Sequence, residues 1–410
     1  MLHYFRKIRA SHYVVLILLV AIYLCTRMCT PGHRGSATPI RDGKGEAFAG
    51  SASCASCHKD IYDTHIKTAH YRDSKPAAKE FIRGSFDSGH NHFVYTNERE
   101  VILQQQGSHF FQTALLNGQE YRRESFDIVI GSGRKGQTYL YWDSARLCQL
   151  PISYYTALNS WCNSPGFPNN EPRFNRQVQS YCMECHSTYA RTVGNSNAET
   201  GYFYDKDQII YGIDCEKCHG AAAEHVAFHT AHPGAATGRF IINAQRLSRQ
   251  QRLDGCALCH SGPRSPLRPA FSFTVGDRLN DFSMPGYAPD SAANLDVHGN
   301  QYGLLTASKC FKLSQMDCSS CHNVHVNEAG SLKVFSQKCM TCHNTTTHDT
   351  CTVKSTPGLV LSDNCIDCHM PARPSQKIIL TLSGASQTVH DLVRTHRIAI
   401  YSLRKGLITH

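Results

Sequence analysis

Charge and long apolar runs are both scarce in this chain. Asp, Glu, Lys and Arg make up 18% of its 410 residues, below the quarter usual in a globular protein. The formal net charge is +10 with histidine neutral, yet no concentrated basic run and no nucleic-acid motif accompany it, so nucleic acid is excluded as a partner. A Walker phosphate loop is missing too. The phrase GSGRKG at 131–136 lies between two stretches of alternating apolar residues, where it predicts a hairpin turn. The apolar run at 13–25 falls short of the ~20 residues that span a bilayer comfortably. Arg6, Lys7 and Arg9 precede it, Arg27 ends it, and no A-x-A-like cleavage site follows closely. This layout predicts a signal anchor over 1–30, with a cleaved signal peptide as the alternative, then a Gly/Pro/Ser linker over 31–50. Either way, residue 50 onward faces the periplasmic side of a bacterial inner membrane.

Cysteine and histidine, by contrast, are abundant: 20 and 24 residues. Seven times they form C-x-x-C-H, at Cys54/Cys57/His58, Cys182/Cys185/His186, Cys215/Cys218/His219, Cys256/Cys259/His260, Cys318/Cys321/His322, Cys339/Cys342/His343 and Cys365/Cys368/His369. This is the attachment signature of c-type haem. Two thiols three positions apart reach the two vinyl groups of one haem, and the adjacent histidine turns its imidazole to the iron. Zinc would need four ligands per ion and has no use for a histidine after every pair; thioredoxin-type redox chemistry needs none at all. The sequence thus predicts seven covalent haems c. Each ferric haem carries two propionates and roughly one net negative charge, which offsets most of the basic excess.

The motifs use 14 of the 20 cysteines. Cys25 and Cys29 fall in or beside the apolar run, leaving Cys148, Cys162, Cys310 and Cys351. In an oxidising compartment Cys148 and Cys162 are expected to form a disulfide, and Cys310 with Cys351 is a second pairing. Electron-transfer haems commonly take two axial ligands, and 17 histidines stand outside the motifs. His70, in an expected helix, His225 in HGAAAEH, His325 in HNVH, where one helix turn is expected to carry ligands of two different haems, and His298, His348, His390 and His396 are the candidate distal ligands. His65, His229 and His232 are reserves at helical intervals, and Met284 and Met316 are the thioether alternatives.

The haem motifs are unevenly spread, six of the seven falling within 182–369. That density leaves too little chain for an ordinary core. It predicts short helices, each carrying a motif, and loops, all wrapped around cofactors, over a domain of 166–410, with a first haem segment at 51–89. Between them, HFVYT, VILQQQ, HFFQTAL, YRRESFDIVI and QTYLYW alternate apolar and polar residues. Turn signals at Asn97-Glu98, Gly107-Ser108, Asn117-Gly118 and 131–136 separate them. An antiparallel meander of about five strands is expected over 90–165, making the fold class α+β. LPISYYT and WCNSPGFP, at 150–156 and 161–168, are expected to pack over a haem edge.

The phrases CASCHKDIYDTHIKTAH at 54–70, CEKCHGAAAEH at 215–225, CSSCHNVH at 318–325 and CIDCHMP at 365–371 followed by His396 resemble the bacterial multihaem cytochromes related to the tetrahaem cytochrome of ammonia oxidisers. More remotely, they resemble hydroxylamine oxidoreductase. The resemblance covers 50–75 and 180–400 and implies that His70 and His225 are distal ligands to haems elsewhere in the fold. CHGAA stands here where the family has CHGPG. The lysine-ended motif of pentahaem nitrite reductases is missing, and seven motifs do not match the eight haems of hydroxylamine oxidoreductase. The function expected is electron transfer along closely packed bis-histidine haems, between a membrane donor such as a quinol-oxidising complex and a redox protein. The alternative is an oxidoreductase acting on a small nitrogen or sulfur species at one open haem.

Overall fold

The computed structural model describes residues 38–328, 330–344, 351, 361–384 and 388–401. The expected signal anchor and candidate ligand His348 lie outside the described residues. Among those residues, no helix is long and apolar enough to cross a membrane. The described residues from 41 onward make one compact unit. The fold is α+β, as expected, with short helices beside antiparallel sheets.

A four-stranded antiparallel sheet runs His92–Val94, Arg99–Gln106, His109–Leu116 and Gln119–Ser125. Its period of two is plain in Arg99–Gln106, where Val101 and Leu103 point inward and are fully buried. The Gly107-Ser108 and Asn117-Gly118 turns fall where the sequence places them, with both Asn117 and Gly118 at positive φ.

A larger sheet orders Ser74–Pro76, Ile128–Ile130, Gly136–Asp143, Ile152–Tyr155, Ser160–Asn163, Ala372–Leu382 and Thr388–Arg394, and Arg146–Gln149 pairs Gly136–Asp143 off this path. GSGRKG is the turn between Ile128–Ile130 and Gly136–Asp143. There Gly131 has φ 96°, and a Cβ on it would meet the Gly136 carbonyl oxygen at 2.7 Å, so only glycine fits.

The single strand expected over YRRESFDIVI is instead two, one in each sheet. The break comes at Phe126-Asp127. Asp127 accepts the Trp142 backbone N–H at 2.7 Å and the Ser125 hydroxyl at 2.9 Å. Phe126 then turns into the core between the sheets, stacking on Tyr139 at 4.3 Å beside Phe86, Phe110 and Trp161. LPISYYT and WCNSPGFP supply most of two strands of the larger sheet. Ile152–Tyr155 and Ser160–Asn163 are neighbouring strands, and Ile152 and Trp161 belong to this same aromatic core.

Cys148 and Cys162 do not form the expected disulfide; both are free, buried thiols. Their strands assign them to different apolar clusters, Cys148 with Leu150 and Ile152, Cys162 with Tyr155 and Leu380. Cys310 and Cys351 are also free.

The six-motif region is expected to be helix and loop, but Ser187–Asn197 and Gly201–Tyr211 form a long hairpin between the second and third motifs. Its second strand buries Tyr204 and Ile209.

Candidate haem sites

Local chemistry places each motif on a short helix or turn. Ser180–His186, Cys215–His219 and Cys365–His369 carry the second, third and seventh motifs, and the fourth closes the longer helix Arg249–His260. The residue before the first cysteine is an N-cap in three motifs, the third, fifth and seventh. Asp214 accepts the Glu216 N–H at 2.9 Å, Asp317 the Ser320 N–H at 3.2 Å and Asn364 the Asp367 N–H at 3.2 Å. This signal was readable in the sequence, yet only the motifs themselves were singled out there. The caps start helical turns at the cysteine, which puts the two thiols and the histidine on one side.

The first, fifth and sixth motifs depart from the expectation that each motif rides on a helix inside a haem-packed interior; in the fifth, the one helical turn Cys318–Ser320 ends before Cys321 and His322. The helix Ser51–Cys54 stops at the first cysteine, so Cys57 lies in the turn beyond it. The chain cannot continue helically there, because His58 leaves the helical region at φ −116°, ψ 41° to cap the next helix, Lys59–His65. In the sixth motif the helix Leu332–Met340 ends before Cys342 and His343. Both second cysteines, Cys57 and Cys342, are exposed rather than packed inside, while His343 is half-buried. Cys57 accepts the Ser56 hydroxyl at 3.7 Å and Cys342 the Thr341 hydroxyl at 3.9 Å. The turns nevertheless keep the helical hydrogen-bond pattern. Cys57 N–H donates to the Cys54 carbonyl at 3.2 Å, and the N–H groups of Cys342 and His343 donate to that of Cys339 at 3.1 and 3.0 Å. Each pentad therefore still holds its thiols and imidazole in one turn.

Tertiary contacts then bring motifs together in a definite order. The Cys54 and Cys215 thiols interact, joining the first and third motifs. Cys185 pairs in the same way with Cys259, second to fourth, and Cys256 with Cys318, fourth to fifth. Cys339 meets Cys365, sixth to seventh, with Cys321 of the fifth motif in electrostatic reach of Cys339. Cys218 stands in reach of Cys256, third to fourth. One tie is a buried carboxylate. Glu216, 3% exposed, accepts the N–H groups of Ala49, Gly50 and Ala222, each at 2.8 Å, and so holds the segment leading into the first motif against the third.

Histidine ring spacing tests whether these residues fit an iron with two axial imidazoles. Metal–nitrogen bonds of about 2 Å on opposite faces put the two ring centroids roughly 6 Å apart. His70 and His260 are at 6.0 Å, His219 and His325 at 6.2 Å, and His322 and His396 at 6.3 Å. Burial, then neighbouring histidines, push His70 and His396 down to about 4, so both are neutral and able to act as ligands. The residues fit haem.

The ring nitrogens sort the remaining histidines. A ligating imidazole ties its second nitrogen to a carbonyl or carboxylate. His219 does so to the Ile242 oxygen at 2.8 Å, His369 to Ala399 at 3.0 Å, His225 to Arg239 at 2.7 Å and His390 to Ser375 at 2.6 Å, all through Nδ1. His225 and the reserve His229 lie 4.6 Å apart on the helix Ala223–Ala231. His229 is held below its ordinary value by desolvation, then by His225, His232 and His58. Its Nε2 accepts the Arg239 N–H at 3.3 Å, whereas His225 carries the tied Nδ1 of a ligating imidazole. His65 is 6.1 Å from His325, but its ring nitrogens contact the Val324 and Ile213 carbonyl oxygens at 3.3 and 3.2 Å, a structural role. His298 stands in electrostatic reach of His186 and Asp391. Asp296 accepts its N–H at 2.9 Å together with the Ser375 hydroxyl, which brings His298 and His390 to one place.

Two further local expectations are corrected. His70 is not helical; the helix Lys59–His65 ends before it, and His70 sits in a turn. HNVH is likewise a turn rather than a helix. It still directs His322 toward His396 and His325 toward His219, so the two histidines serve different partners. A residue missed by sequence reasoning is Asp73, which accepts a hydrogen bond from His186 Nδ1 at 2.8 Å; nothing in its local sequence marks it.

Motif, ring spacing and tied nitrogens are together those of a multihaem c-type cytochrome. Residues 167–220, holding the second and third motifs, match the family model "Cytochrome c554 and c-prime". The chain is also similar to the C-type polyheme cytochrome OmcC of Geobacter sulfurreducens, at 28% identity over 141 residues, 32% of this chain and 16% of that protein. No solved structure matches the chain.

Proposed function

We propose that the chain holds seven haems c, one per motif, and passes electrons in the order first, third, fourth, fifth, sixth, seventh, with the second beside the fourth. The thiol contacts that join successive motifs carry this reading. When bound, haem supplies an iron that cycles between ferrous and ferric states. The protein supplies the spacing, the two axial imidazoles and the burial that set each potential. His70, His325 and His396 serve the fourth, third and fifth motifs, His225 the first and His298 the second, while His390 and His348 serve the sixth and seventh. The N-terminal segment anchors the chain to the inner membrane, with the haem domain on the periplasmic side. There it accepts electrons from a membrane donor of the quinol-oxidising kind and delivers them to a redox protein.

Mass analysis with haem quantification on the purified chain tests this reading. Seven haems per chain and a wholly low-spin ferric spectrum are expected. Fewer haems, or a substantial high-spin signal in intact protein, overturns it; the latter favours an open, catalytic haem.

A further inference from the structure

The motif histidines are not equivalent on their Nδ1 side. His219 and His369 meet neutral backbone carbonyls. His260 has the neutral amide of Gln301 beside it. Glu328 stays 3.9 Å from His322 Nδ1, beyond hydrogen-bond reach, and accepts the Asn323 N–H at 2.9 Å instead. His186 of the second motif alone in this comparison donates to a carboxylate at hydrogen-bond distance, Asp73 at 2.8 Å.

Asp73 is held for this task. Its own N–H donates to the His70 carbonyl at 3.1 Å and its carbonyl accepts the Gly131 N–H at 2.5 Å. The next residues, Ser74–Pro76, are paired in register with Ile128–Ile130. The carboxylate is 23% exposed, so it is partly desolvated and poorly screened. A carboxylate on Nδ1 draws the ring proton away and makes the imidazole a stronger donor to metal. A full negative charge near iron also favours the ferric state, which carries one more positive charge than the ferrous. Both effects act in the same direction.

We propose that Asp73 is a positioning residue that makes the second-motif haem the lowest-potential haem of the chain. The inference rests on haem attachment at every motif. The turn His70–Asp73 then serves two sites at once, the distal imidazole of the fourth and the carboxylate partner of the second, whose thiols Cys259 and Cys185 touch. The second haem hangs beside the fourth as a low-potential branch, through which strongly reducing electrons enter or leave the line.

The test is a spectroelectrochemical titration of the full chain, with haem content measured first. If the wild type carries fewer than seven haems, the attachment reading fails and the inference with it. With seven present, Asp73→Asn keeps an acceptor but removes the charge. The most negative wave is expected to move positive by about 59 mV or more, the equivalent of a tenfold loss of preference for the ferric state, while the other waves stay in place. Asp73→Glu, which retains the carboxylate, should keep that wave near its wild-type position. An unmoved wave, or movement of one that is not the most negative, overturns the proposal. Loss of one haem in both variants assigns Asp73 a structural role and also overturns it.

Discussion

His322 and His396 face one another with ring centroids 6.3 Å apart and planes inclined by 31°, the separation two imidazoles need to share one iron. They come from a motif turn and from the chain just beyond the strand Thr388–Arg394, and burial keeps His396 neutral.

Replacing His396 with alanine should leave the fifth-motif haem with one axial imidazole. Haem content stays at the wild-type level, and one haem per chain turns high-spin in the ferric electron paramagnetic resonance spectrum. A spectrum that remains wholly low-spin would remove His396 from the ligand set.

His65 makes the opposite case. It is 7% exposed and its ring bridges the Val324 and Ile213 carbonyls. His65→Ala should create no high-spin haem but should cost about 1–3 kcal/mol of stability, the penalty of stranding a buried polar partner. Denaturant melting beside the same spectrum separates the two roles.

Glu216 ties residues 49–50 to the third motif through three backbone donors. Glu216→Ala strands those N–H groups, and a loss of roughly 3 kcal/mol is expected. Hydrogen exchange should report faster opening of 47–54, with the strands of the aromatic core unaffected. Uniform loss of protection throughout would assign Glu216 a global role instead.

Asp317 caps the fifth motif. Burial opposes its charge, but hydrogen bonds from Ser319, Arg252 at 2.6 Å and Ser320 outweigh that and hold the carboxyl below its usual 3.8. A lowered folded-state value means that the stabilisation is fully present above pH 3.8 and fades as pH falls through the folded value. Asp317→Asn should therefore cost about 1–3 kcal/mol at neutral pH. The gap from wild type should narrow in acid; a gap independent of pH would show that the charge is not what stabilises.

The strand pattern was readable where one face of a sheet is solvated, as in Arg99–Gln106, because burial alternates with the residues. It misled at YRRESFDIVI, since a continuous run gives no sign that Asp127 captures the Trp142 N–H and sends the chain into a second sheet. The Cys148–Cys162 disulfide was inferred from a short loop, whereas sheet pairing sends the two thiols into separate clusters. Identical pentads also gave no sign that Cys57, Cys342 and His343 would fall in turns after their helices while Cys218 and His219 stay on one. The flanking residues decide that: in the first motif His58 leaves the helical region at the N-cap position of Lys59–His65.

The sequence by itself determined the C-x-x-C-H pentads, because that signature is local: five consecutive residues contain all that a single haem needs on one side. It also set the caps, Asp214, Asp317 and Asn364, one residue away. Only the tertiary structure decided which histidine faces which motif, that Cys54 lies on Cys215, and that Asp73 reaches His186. Those contacts join residues far apart in the chain, Asp73 and His186 being 113 positions apart. Their cause is the closing of large loops by sheets and buried carboxylates, which leaves no imprint on the residues nearby.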